Sequence, residues 1–199
     1  MSTRALCDAF KDSPLILGID TSPEMIRMAN SITRHDFAVT FMLQSLSSCN
    51  PLLSQCLSDL GYSNLLVTDA HNENKIFEDK HLLHSCLFAQ GNAERISLLP
   101  PGAFDIITIM YAFHEIPMSA RYRILREARR LLKEGGTLAI VDIHQDLIPL
   151  PSMLMGEPYI LEYLQNFHKQ MTRLQGFCNF KHHIVIEGHV SLWTLTRKV

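Results

Sequence analysis

Three sets of proton-handling side chains follow apolar runs in this chain of 199 residues. Asp20 closes Leu15-Ile16-Leu17-Gly18-Ile19, His114 and Glu115 come just after Ile106 to Tyr111, and Asp142 and His144 end a third run. An imidazole or carboxylate held at such a place can take a proton from a hydroxyl or a carbon acid as it becomes a nucleophile. His114 and Glu115 are the candidates for that work, with His144 beside them. Histidine titrates near neutrality, which suits it to the task, but a histidine after a strand also serves in packing or hydrogen bonding.

Other chemistries find less support. The five cysteines are scattered, without a Cys-x-x-Cys pair, and read as reduced thiols. Among the ten histidines only His182 and His183 are adjacent, and no His-Glu-x-x-His occurs, so no metal site is expected. A formal net charge of -2 gives no electrostatic reason for a nucleic-acid partner. Arg121, Arg123, Arg126, Arg129, Arg130 and Lys133 accordingly read as a solvated helix face. No segment approaches the ~20 apolar residues of a membrane span. The opening MSTRALCDAFKD lacks the apolar core of a signal peptide, and a cytoplasmic setting is expected.

The elements that must hold these residues are legible in outline. Ser2 to Phe10 has helical spacing, and Leu15 to Asp20 is a short buried strand by composition. Thr21 or Ser22 caps a helix that opens at Pro23 and runs to about Arg34. Residues 35–85 read as an insertion, partly flexible, with no chemistry to assign. Leu87 to Gln90 is a strand leading into Gly91-Asn92-Ala93-Glu94.

The stretch Gly91 to His144 then reads as strand, crossover helix and parallel strand, with a Gly135-Gly136 stop and both sheet faces covered. The helix stripe is Ile124, Leu125, Ala128, Leu131 and Leu132. A long helix from about Tyr159 to Leu174 follows, and His182 to Glu187 and Val190 to Thr196 make a hairpin. One domain over residues 1–199 is expected, an α/β fold with a mostly parallel sheet closed by that C-terminal antiparallel hairpin.

The strings GIDTSPEMIRMAN, GNAE, FDIITIMYAFHEI and EARRLLKEGGTLAIVD resemble the class I S-adenosylmethionine-dependent methyltransferases, in the methyltransferase type 11 or ubiquinone-biosynthesis-like branch. The last string is similar to an Arg-x-Leu-Lys-Pro-Gly-Gly signature, with Glu134 in place of proline. The resemblance covers roughly Ser2 to Asn30 and Ala89 to Val199. It implies a Rossmann-like sheet, S-adenosylmethionine as cofactor and a small-molecule methyl acceptor. It further implies that Asp20, with Thr21 beside it, binds the ribose hydroxyls, which a two-oxygen acceptor suits, and that Met25 packs on the adenine. Asn92 stands where the family has an acid that takes the adenine amino group, and Ala93 offers its backbone N–H. Ile109, Met110 and Tyr111 line the methionine end.

The family's glycine-rich loop, Asp-x-Gly-x-Gly-x-Gly, has no counterpart here, since no two of the nine glycines are spaced Gly-x-Gly. The resemblance therefore implies that the first strand of the family's sheet is missing and the chain truncated. Three readings follow: a methyltransferase impaired in this form, a non-catalytic relative that binds a partner, and a Rossmann oxidoreductase. The last is disfavoured because Gly-x-Gly-x-x-Gly is absent.

Overall fold

The computed structural model describes residues 2–10, 12–13, 15–33 and 86–199. The stretch 35–85, read as an insertion, lies outside the described residues. The chain divides into two compact units, Met1–Pro100 and Pro101–Val199.

The first unit contains α1 (Ser2–Ala9), β1 (Ile16–Asp20), α2 (Pro23–Thr33) and β2 (Cys86–Gln90). β1 and β2 pair in parallel from Ile16↔Cys86 to Asp20↔Gln90. Leu87, Phe88 and Ala89 are buried. Gly18 is there because α1 comes close: a Cβ would stand 2.8 Å from the Thr3 hydroxyl and 2.9 Å from the Phe88 ring. Ser22 rather than Thr21 caps α2, its Oγ accepting the Met25 N–H at 3.2 Å. Cys7 is disulfide-bonded, a departure from the expected set of reduced thiols, while Cys178 is free.

The second unit is a four-stranded sheet in the order β3-β4-β6-β5. β3 is Phe104–Met110, β4 Leu132–Ile143, β5 Phe177–Ile186 and β6 Val190–Arg197. A 3-10 turn, Phe113–Glu115, and helix α3, Met118–Leu131, cross from β3 to β4; α4 (Pro151–Gly156) and α5 (Ile160–Thr172) join β4 to β5. β3 and β4 are parallel, whereas β6 lies antiparallel to both β4 and β5. The sheet is therefore mixed rather than mostly parallel, because the terminal hairpin supplies half of it. Among the described residues β1 pairs only with β2, and β3 only with β4.

The core of this unit is built from Phe113, Leu125, Leu138, Ile140, Tyr163, Phe167, Trp193 and Leu195. Ile107 and Ile109 pack against it, but Ile106 and Met110 stand exposed, so β3 is not covered on both faces within its unit. Two further expectations change. Gly135-Gly136 does not stop the helix, which ends at Leu131 with β4 beginning at the next residue. The register instead moves from Phe104↔Leu132 to Ile106↔Thr137, so the glycines lie in a bulge, Gly135 at φ +77. Arg121 does not join the solvated face of α3; it has no exposed surface.

A Cβ on Gly136 would meet the Lys133 carbonyl oxygen at 2.8 Å and that of Asp105 at 3.0 Å. Backbone atoms at an irregular strand junction yield less easily than side-chain ends. Gly136→Ala is expected to lower unfolding free energy by about 1–3 kcal/mol, read from urea midpoints.

Candidate functional site

In the first unit the strand tips gather four of the expected residues. The Gly91 N–H donates to the Asp20 carbonyl at 2.9 Å, and the Gln90 side-chain amide donates to the Thr21 carbonyl at 3.1 Å. Asp20 is exposed, with Oδ1 accepting the Ser22 N–H at 2.8 Å. Oδ2 takes no hydrogen bond among the described residues and remains open to a ligand hydroxyl. Asn92 Oδ1 accepts the Glu94 N–H at 2.9 Å, leaving that oxygen one further lone pair. Met25 is 52 % exposed on the first turn of α2, and Ala93 is half-buried.

In the second unit β3 and β4 end together, the Tyr111 N–H donating to the Val141 carbonyl at 2.8 Å. Tyr111 has φ +49, an uncommon backbone state for a bulky residue, and its side chain is exposed. Met110 is exposed beside it, whereas the Ile109 side chain faces the core and offers a ligand only its backbone.

The 3-10 turn then carries His114 inward, 7 % exposed, onto Asp142, which has no exposed surface. His114 Nδ1 lies 2.5 Å from Asp142 Oδ1. That oxygen also accepts the Ile143 N–H at 2.8 Å, and Oδ2 accepts the Phe113 N–H at 2.8 Å. Three donors thus satisfy a buried carboxylate, which fixes Nδ1 as a proton donor and leaves Nε2 as the working nitrogen.

Nε2 faces the Glu115 carboxylate at 3.9 Å and that of Glu157 at 3.8 Å, both beyond hydrogen-bond length. Burial lowers the His114 pKa, but the hydrogen bond and charge of Asp142, then the charges of Glu157 and Glu115, outweigh it and raise it above 6.5. The Tyr163 ring packs edge-on against the imidazole, with its hydroxyl on the Ile143 carbonyl at 3.0 Å. Residue spacing alone marks neither Asp142 as the partner of His114 nor Glu157 as its neighbour.

His144 does not join this centre. Its Nδ1 is 2.7 Å from the buried Ser191 Oγ, which also lies 2.9 Å from His182 Nε2. His182 stacks on Trp193 with ring centroids 5.0 Å apart, and His168 approaches it edge-on at 5.5 Å. His144 Nε2 reaches the exposed Asp146 carboxylate at 3.3 Å. A hydroxyl with one proton can bridge two imidazoles while at least one is neutral; with both protonated it would face two donors and keep a proton without an acceptor. No group of three metal-ligating side chains forms among the described residues.

These two centres set opposite pH dependences. Burial, then the like charges of His168, His144 and His183, hold His182 below 6.5. Its contribution to stability is complete above 6.5 and is lost as pH falls from there through the lowered folded value. The His114 contribution is complete below 6.5 and is lost as pH rises through the raised folded value. Urea unfolding followed on Trp193, the single tryptophan, should show His182→Gln closing on or overtaking the parent chain below pH 6.5. His114→Asn should be most damaging at that same acid end. A pH-independent gap between parent and His182→Gln would contradict this assignment.

Comparison with known proteins bears on both units. A family model for the methyltransferase domain matches residues 49–140, which takes in Asn92 to Tyr111 and His114 but not Asp20. Demethylmenaquinone methyltransferases of Listeria welshimeri and Listeria monocytogenes are 37% identical over 67 residues, 34% of this chain. The match spans only 27% of the length of those relatives. A solved chain from the complex between the Haloferax volcanii Trm112 methyltransferase activator and a candidate methyltransferase superposes with a TM-score of 0.53 at 13% identity, covering 99% of this chain and 79% of that one. With parallel strands joined through a crossover helix and an antiparallel terminal hairpin, the chain has a Rossmann-like methyltransferase fold.

Proposed function

We propose that this chain transfers a methyl group from S-adenosylmethionine to a small-molecule acceptor, with His114 as the base. The observation that carries this reading is the His114–Asp142 pair at the joint end of two parallel strands, its Nε2 free of hydrogen bonds among the described residues. When bound, S-adenosylmethionine supplies an electrophilic methyl on sulfur, and displacement there needs the nucleophile placed in line. Asp20 Oδ2 is available for a ribose hydroxyl, Thr21 stands beside it, and Met25 offers an exposed apolar surface to the adenine. Asn92 and Ala93 would read the adenine edge, and Met110, Tyr111 and the Ile109 backbone the methionine end.

His114 takes the proton that the acceptor loses, while Asp142 steadies the resulting imidazolium. Glu115 and Glu157 add negative charge beside Nε2 and raise its basicity. The activity named for the Listeria relatives makes a quinone-type ring the first acceptor to try, in keeping with the ubiquinone-biosynthesis-like branch.

A second reading, a non-catalytic methyltransferase-like protein that binds a partner, has one feature in its favour. The sequence holds no Gly-x-Gly, and β1 and β3 each keep an unpaired edge among the described residues. Calorimetry with S-adenosylmethionine separates the two. A methyltransferase with impaired cofactor grip should bind with a Kd of about 1 μM or weaker; no heat at millimolar cofactor would favour the second reading. Turnover should fall about 10²–10⁴-fold in His114→Asn. Since the base must be neutral to act, the acid limb of kcat/KM should lie above pH 6.5. A limb below that, or an undiminished variant, would remove His114 from the chemistry.

A further inference from the structure

Arg121 is the only arginine with no exposed surface among the described residues, and nothing in the chemistry above uses it. It lies on the first turn of α3, its N–H donating to the Pro117 carbonyl at 3.1 Å. Its guanidinium reaches back to the turn that carries His114. Nη1 donates to the Phe113 carbonyl at 3.1 Å and to the Ile116 carbonyl at 2.7 Å, bracketing His114 and Glu115. The remaining nitrogens turn to α5, Nη2 donating to Glu162 Oε2 at 2.5 Å and Nε to Gln170 Oε1 at 3.2 Å. The guanidinium carbon stands 5.6 Å from the centre of the Tyr163 ring, the same ring that packs on His114.

We propose that Arg121 is the positioning residue of the His114 centre: by holding both ends of the turn against α5 it sets the direction of Nε2. This rests on the reading of His114 as the base. A rigid planar fork is what the arrangement requires, because four acceptors on two elements are met at once. A lysine would keep the charge but could not span both carbonyls and both α5 side chains. Without the fork the polar anchoring of the Phe113–Ile116 turn comes from Asp142 on one side, with only apolar packing from Tyr163 and Phe167 on the other, and a shift near 1 Å in a reacting group costs about 10²-fold in rate.

The test uses the full chain and two readouts. In Arg121→Lys, kcat should fall about 10- to 100-fold with KM nearly unchanged. The His114 imidazole, followed by NMR, should titrate closer to 6.5 as its bond to Asp142 loosens. The carboxylates that raise the His114 pKa are Asp142, Glu157 and Glu115, not Glu162. Arg121→Lys keeps the cation, so a shift in titration in that variant reports geometry. Glu162→Gln should move the same resonance in the same direction by less, and it serves alone if Arg121→Lys does not fold. An unmoved His114 titration in both variants, or in Glu162→Gln where only that one folds, would overturn the proposal. If the titration moves but His114→Asn keeps full turnover, the clamp stands and the reading of His114 as the base fails.

Discussion

The functional end of the second unit hangs on one buried carboxylate. Asp142 has no exposed surface, yet it is satisfied by two backbone N–H groups and an imidazole. A carboxylate so placed is costly to desolvate, and removing its partners would leave an uncompensated buried charge, a change worth about 3–5 kcal/mol. The same three bonds tie the end of β4 to the turn after β3. The backbone there cannot relax without exposing the charge to unmet demand, so His114 is held where the sheet puts it. Stability and the placement of a proton acceptor are here the same interaction.

Helix α5 turns that local bond into a longer arrangement. Tyr163 stacks on Phe167 at 4.6 Å, Phe167 meets Trp193 edge-on at 5.0 Å, and Trp193 stacks on His182 at 5.0 Å. Aromatic pairs at these separations contribute about 0.5–1.5 kcal/mol each beyond their burial. The chain of rings runs from the His114 centre to the Ser191 bridge. Both polar centres thus rest on one apolar spine, and each is shielded from water by it. Burial lowers the pKa of both imidazoles, so their opposite behaviour comes from their neighbours: His114 is compensated by carboxylates, while His182 is surrounded by other imidazoles.

Much of this frame was legible from residue patterns. Apolar runs ending in polar residues marked β1, β2, β3 and β4, and Pro23 after Ser22 marked the start of α2. The hairpin was visible because a short turn separates two alternating stretches. What failed had a physical reason in each case. Gly135-Gly136 reads as a helix stop because glycine ends helices so often, yet here it forms a bulge that lets β4 start at once after α3. Arg121 reads as solvated because it sits in a basic run; only the fold reveals that a turn carbonyl pair and two α5 side chains wait for it. His144 stands at a strand tip like His114 but faces β6 instead, since Asp142 and Ser191 are paired across the sheet.

The partner of His114 was out of reach for a more general reason. His114 and Asp142 are 28 residues apart, and no sequence spacing relates them. Parallel pairing does. With Met110 opposite Val141, each residue that follows the joint end has a fixed counterpart: Tyr111 bonds the Val141 carbonyl, and the turn beyond it meets Asp142. A one-residue slip of β4 would reverse its faces and turn Asp142 away from the side where the turn packs. The leucines and isoleucines of β4 therefore do more than fill the core. Leu138 and Ile140 have no exposed surface, and burying that face is what points Asp142 at His114. The chemistry of the centre is written in two residues, but its geometry is written in the apolar pattern of the strand between them.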